Sequence, residues 1–174
     1  LLAATGANVV VVSSDSGRTW IEKNVNRNLQ ITGVAFFTDS DLWVVGYQGK
    51  VFHSSDFGNT WLRKPVPTGQ TSLSDVFAFD EMNAWICGDS GVVLRSVDGG
   101  SNWTRADIAG YPQLKKIWFI SATYGFAAGN NGKLYRSVNG GLTWNQISVG
   151  ITGQNNLTSM FFLTPALGWI ASDQ

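Results

Sequence analysis

One eight-residue pattern, S-x-[DN]-x-G-x-[TN]-W, occurs four times in the 174 residues, at 13–20, 54–61, 96–103 and 137–144, and its terminal tryptophans stand 41, 42 and 41 residues apart. Apolar runs at 34–37, 76–79, 117–120 and 160–163 keep the same beat, at intervals of 42, 41 and 43. Trp43, Trp85, Phe126 and Trp169 follow them, and the first three lead into Gly-x-x-Gly segments at 46–49, 88–91 and 129–132. Several motifs in a fixed order at a near-constant period mean that one supersecondary unit is built repeatedly and stacked on itself.

The unit reads as strand, short loop, strand, glycine-rich hairpin, strand, box hairpin, strand, which is a four-stranded antiparallel meander. Stretches such as 9–12 and 34–37 are apolar without alternation, as expected of strands covered on both faces. Four-stranded sheets stacked around an axis meet that demand, and a period of about 40–45 residues suits a propeller blade. The fold predicted is therefore all-β, a β-propeller of four-stranded antiparallel blades, with a β-solenoid as the structural competitor. It forms a single domain over 1–174, with repeats near 1–32, 33–74, 75–115 and 116–157 and closing strands at 158–174. The first and last repeats each begin or stop in the second strand of a blade. Residues 160–172 are thus expected either to complete the first blade in a minimal four-bladed ring or to belong to an arc of a larger one. In the second case a homodimer completing one ring stays open.

Composition narrows the function. Twelve basic and twelve acidic residues leave no net field to draw the chain to nucleic acid or an anionic surface. The lone cysteine, Cys87, excludes an internal disulfide and a zinc site of paired thiolates, and in its apolar strand it reads as an inert core thiol. No apolar run approaches the roughly 20 residues of a membrane-spanning helix. The opening Leu1-Leu2-Ala3-Ala4 falls on a strand position of the repeat and lacks a basic leader. No cofactor and no metal are expected.

Within each box, the side chain of Asp15, Asp56, Asp98 or Asn139 is placed to accept backbone N–H groups of its own turn. Gly17, Gly58, Gly100 and Gly141 supply a left-handed residue, and Trp20, Trp61, Trp103 and Trp144 fold a ring back over the hairpin. The box is a structural staple. Its acids occur once per blade on a peripheral turn, so they do not converge on one metal or substrate atom. The best remaining carboxylate pair for a glycosidase is Asp75 with Asp89, and the other off-repeat acids fall mostly in turns. His53, the single histidine, fills a strand slot held by Arg95 and Arg136 in sister repeats, which argues for packing over a catalytic triad.

The box resembles the signature of the Asp-box, or bacterial neuraminidase repeat, superfamily of β-propellers. The longer unit at 42–61, LWVVGYQGKVFHSSDFGNTW, is most similar to the photosystem II assembly factor type, and the resemblance covers essentially the whole chain. Asn139 for the usual acid, Asn102 for the box threonine, and Asn8 at the second hairpin glycine of the first repeat depart from the pattern. Sialidases, xyloglucanases and sorting receptors share the box, so the resemblance implies fold strongly and function weakly. It implies an exported location, periplasmic, thylakoid-lumenal or extracellular.

Two functions follow: a non-enzymatic protein-binding or assembly scaffold, and an Asp-box carbohydrate-active enzyme or lectin binding carbohydrate. The first is preferred, because variable loops on a rigid repeat are where binding residues gather. The hairpin tips offer Tyr47, Gln48, Asp89, Ser90, Asn130 and Asn131, and the connections between blades offer Tyr111, Lys115 and Lys116. The resemblance adds partner-contacting arginines, for which Arg95 and Arg136 are the recurrent positions here.

Overall fold

The structure is a computed structural model that describes residues 2–4, 8–150 and 155–173. Its strands form consecutive antiparallel sheets, each a meander in chain order. The first holds β1 (Leu2–Ala4), β2 (Val9–Val12) and β3 (Ile21–Asn24). The second holds β4 (Ile31–Phe36), β5 (Leu42–Gly46), β6 (Lys50–Ser54) and β7 (Leu62–Lys64). The third, β8 (Leu73–Ala78), β9 (Ala84–Gly88), β10 (Val93–Ser96) and β11 (Thr104–Arg105), repeats it. So does the fourth, β12 (Leu114–Phe119), β13 (Gly125–Gly129), β14 (Leu134–Ser137) and β15 (Asn145–Ile147). A fifth sheet has only β16 (Leu157–Thr164) and β17 (Leu167–Ser172).

Every residue of β5, β9 and β13 is buried, because these second strands are covered on both faces by the flanking sheets. Trp43, Leu73, Ile86 and Leu94 fill the space between the second and third sheets, and Trp85, Ile117 and Phe119 that between the third and fourth. Val10, Ile31 and Val44 join the first to the second, and Phe126, Leu157 and Met160 the fourth to the fifth. Aromatic stacks cross these junctions: Trp85 lies 3.6 Å from Phe119 at 6°, and Phe126 lies 3.7 Å from Phe162 at 9°. Each large side chain buried this way contributes about 1.5–3 kcal/mol. The outer strands β3, β7, β11 and β15 are short and mostly exposed, and charges such as Lys23, Arg63 and Arg105 guard the first three against edge pairing.

The minimal ring is not formed. β16 and β17 pair with each other and not with β1, so the sheets make an open arc, a partial propeller. The reason lies in the repeat. β17 and β1 are both second strands of the unit, so β17 already occupies the edge of β16 to which β1 would have to bond. Phe161, Leu163, Leu167 and Trp169 of the fifth sheet are exposed.

Candidate functional site

The box turns sit at one end of the arc. In the second sheet, Ser54 Oγ donates to Asp56 Oδ1 at 2.7 Å and accepts the Gly58 N–H at 2.8 Å. Asp56 Oδ1 also accepts the Thr60 N–H at 2.8 Å, and Oδ2 accepts the Thr60 hydroxyl at 2.7 Å. The same net recurs around Asp15, around Asp98 with the Asn102 amide replacing the threonine hydroxyl, and around Asn139, whose Nδ2 donates to the Thr143 hydroxyl instead of accepting from it. Donors from Thr19 hold Asp15 down to about 2, and those from Thr60 do the same for Asp56. Trp20, Trp61 and Trp144 donate Nε1–H to the carbonyl of Gly17, Gly58 and Gly141. Trp103 differs: its ring meets Trp43 edge-on at 5.7 Å. The serine hydroxyl is the centre of each net, a part the sequence pattern marks only by its invariance among the four boxes.

The hairpin tips lie at the other end of the same strands, and a cleft of about 650 Å³ opens between them. Each inner strand carries a β-bulge near its start, where the register shifts between Ile31 and Gly33, Leu73 and Asp75, Leu114 and Lys116, and Leu157 and Ser159. The residues inside these bulges, Thr32, Ser74, Lys115 and Thr158, all line the cleft. The bulge near the start of each of these strands thus turns four equivalent residues toward one space. Tyr47, Asp89 and Asn130, the first residue of each tip, complete the wall with Lys116.

The tips are fixed by backbone bonds, Tyr47, Asp89 and Asn130 donating N–H to the carbonyls of Gln30, Ser72 and Gln113. Gly46 is demanded by that approach: a Cβ there would stand 2.3 Å from the Gln30 oxygen. Thr32 donates to the Leu73 carbonyl of the next sheet at 2.7 Å, and Asn130 Nδ2 to Gln113 Oε1 at 2.5 Å. Asp173 accepts two bonds from Asn156, which keep its carboxyl below the usual carboxylate range.

The model of the photosynthesis system II assembly factor YCF48 family matches residues 12–114, more than half of the chain. The chain belongs to this YCF48 family. Among solved structures it is similar to YCF48 from Cyanidioschyzon merolae, at 19% identity and a TM-score of 0.66, over 82% of this chain and 55% of that one. It thus spans about half the length of that relative. A YCF48 bound to D1 peptide aligns over 96% of this chain and 83% of its own, at 17% identity and a TM-score of 0.50. A glycoside hydrolase family 74 xyloglucanase from Xanthomonas campestris gives 16% identity and a TM-score of 0.73, over 98% of this chain and 31% of that one. At such identities the likeness is one of fold. No curated protein matches the chain.

Within this YCF48-family arc the candidate residues divide. Tyr47, Asp89, Asn130, Lys115 and Lys116 meet in the cleft. Gln48, Ser90 and Asn131 are the left-handed tip residues beside it, at φ 61°, 56° and 57°. Tyr111 is exposed on the connection whose Pro112 carbonyl accepts the Gly91 N–H. Arg95 and Arg136 stand one residue before a box serine, at the far end, so the structure does not bring them to the cleft. Lys115 and Lys116 are strand residues of β12, not connection residues.

Asp75 does not join Asp89 in the cleft. It sits buried on β8, bonded to Lys116 Nζ at 3.0 Å and to the Ile117 N–H at 3.1 Å, both from the next sheet. Its carboxylate is engaged in joining sheets. His53 Nε2 donates to Asp41 Oδ1 at 2.7 Å and the ring lies 4.5 Å from that of Trp43, a packed position. Cys87 is buried, and that burial pushes its thiol well up. Thr32, Ser74 and Thr158 escaped the sequence reading although they keep the beat, each two residues before an apolar run. Their signal was positional, since the residue type changes from blade to blade.

Proposed function

We propose that this chain is a non-enzymatic assembly scaffold whose tip cleft takes an extended segment of a protein partner. The observation that carries the reading is the cleft itself, in which four bulge residues from four successive sheets face the same space between rigid tips. Side chains such as Thr32, Ser74, Lys115, Asn130 and Thr158 offer hydrogen bonds and charge spread along a groove, which suits a peptide backbone and its polar side chains. Membership of the YCF48 family supports a protein partner, since one YCF48 structure holds a D1 peptide.

A glycosidase would require a carboxylic acid kept protonated opposite a second carboxylate. The acids lining the cleft are Asp89 and Asp173, and Asp173 is held in its anionic form by Asn156; Asp75 lies outside that lining and is committed to Lys116 and Ile117. Both observations favour a binding role.

The test is fluorescence anisotropy with a labelled D1 peptide. Binding is expected, with Lys115→Glu and Tyr47→Ala each weakening it about tenfold without lowering the unfolding temperature. Equal binding by wild type and both variants, or none by wild type, would overturn the reading.

A further inference from the structure

At the box end of the arc, the residue just before the box serine is Val12, His53, Arg95 or Arg136 in successive sheets. In two of these slots a flat, nitrogen-bearing side chain of the protein fills the space beside its neighbours. The guanidinium of Arg95 packs on Gly140 of the next box, where an added Cβ would lie 3.0 Å from Nη2 and 2.9 Å from the Ala122 carbonyl oxygen. His53 lies 4.5 Å from the Trp43 ring of its own sheet at a tilt of 30° and pairs with Asp41.

The first slot is different. Val12 is too short to fill it, and a cavity of about 730 Å³ opens between the first and second sheets, with Val12, Ser14, Phe36, Asp39 and Phe57 among its lining residues. Two of these residues stand at positions given to small residues in the fourth sheet. Asp39 occupies the place of Ala122, and Phe57 the place of Gly140.

Phe57 has φ 58°, a left-handed conformation that a side chain with a β-carbon adopts at a cost, and 47% of it is exposed. Glycines 99 and 140 meet the same backbone demand without strain, and all three donate their N–H to the preceding loop, at Ser40, Met82 and Thr123. The turn therefore does not need an aromatic ring. The strain is thus retained at an exposed aromatic, beside a carboxylate and a slot that no described side chain fills.

We propose that this cavity receives the guanidinium of an arginine from a protein partner, which takes the place that Arg95 fills from within two sheets further on. Phe57 and Phe36 supply ring faces for a flat cation, and Asp39 supplies the opposite charge. A guanidinium suits the site better than an ammonium, because it stacks on a ring while donating in its plane. The site lies at the opposite end of the arc from the tip cleft and stands independently of the function proposed for that cleft.

The test titrates the isotope-labelled protein with acetyl-Gly-Arg-Gly-amide and with its citrulline counterpart, following amide resonances by NMR. The arginine peptide is expected to shift Ser14, Asp39 and Phe57, and the uncharged citrulline peptide to bind at least about tenfold more weakly. Val12→Arg, which fills the slot from inside as Arg95 does, is expected to abolish the shifts. Phe57→Gly relieves the backbone, so it serves as a second, fold-safe variant and is expected to weaken binding about as much. No shift with the arginine peptide, equal binding of citrulline, or full binding by Phe57→Gly would overturn the proposal. Tip variants such as Lys115→Glu should leave these shifts unchanged.

Discussion

Lys116 and Asp75 tie neighbouring sheets together across the inner wall of the arc: Lys116 Nζ lies 3.0 Å from Asp75 Oδ1, while Oδ2 accepts the Ile117 N–H. Burial pushes the Asp75 carboxyl up, and the Lys116 charge and the Ile117 donor oppose it.

Removing the lysine should therefore cost more than removing the acid. Lys116→Met leaves a buried carboxylate without its cation, and because Lys116 is itself partly exposed the expected loss is about 1–2 kcal/mol. Asp75→Asn keeps an acceptor for Ile117 and should lose less. In Lys116→Met the carboxyl rises further above its unfolded value, so the deficit is largest at neutral pH and shrinks as the solution is acidified toward about 4. Urea unfolding of both variants at pH 7 and pH 4.5 reads the order and the trend.

The box serine should matter more than its size suggests. Ser54→Ala removes the acceptor of the Gly58 N–H and one donor to Asp56, at a residue only 2% exposed. A loss of about 1–3 kcal/mol is expected. Ser13 makes the same bonds in a less enclosed turn, so Ser13→Ala should cost less. Equal thermal shifts would show that burial of the net is not what sets its worth.

Acid should weaken the turns in a defined window. Asp15 and Asp56 titrate at about 2 in the folded protein, against an ordinary value of 3.8. Carboxylates depressed by folding stabilise above the higher value, and that stabilisation fades between pH 4 and pH 2. Asp15→Asn and Asp56→Asn should flatten the slope of stability against pH there, as the Asn139 turn does naturally. Carbon-detected NMR of the two carboxyls checks the values directly.

Two glycines separate crowding from conformation. Gly46→Ala drives a methyl into the Gln30 carbonyl and Leu29, for an expected cost of about 3 kcal/mol. Gly69→Ala meets nothing within 4 Å, and only its φ of 63° opposes the change, at about 1 kcal/mol. Denaturant midpoints that place Gly69→Ala below Gly46→Ala would contradict this account.

The repeat, the meander and the turn chemistry were readable from residue types, because every bond that closes a box lies within eight residues of chain. Ser54, Asp56, Gly58 and Thr60 find one another whatever surrounds them. Burial of β5, β9 and β13 was equally plain, since Trp43-Val44-Val45 and Trp85-Ile86-Cys87 leave no polar face. The arc was not readable in this way: the same segment at 160–172 suited a ring or an arc until the pairing of β16 with β17 was known.

The candidate site divides along the same line. Tip residues such as Tyr47 and Asp89 announce themselves by the glycines around them, which is local information. Thr32, Ser74 and Thr158 owe their place to bulges, and Asp75 owes its ion pair to a strand 41 residues away; both depend on how closely two sheets approach. Local hydrogen bonds are decided by chain order, whereas the shared cleft, the cross-sheet ion pair and the slot beside Val12 are decided by the spacing and rotation of packed sheets. That spacing is a balance of side-chain volumes summed over a whole junction, so no single motif encodes it.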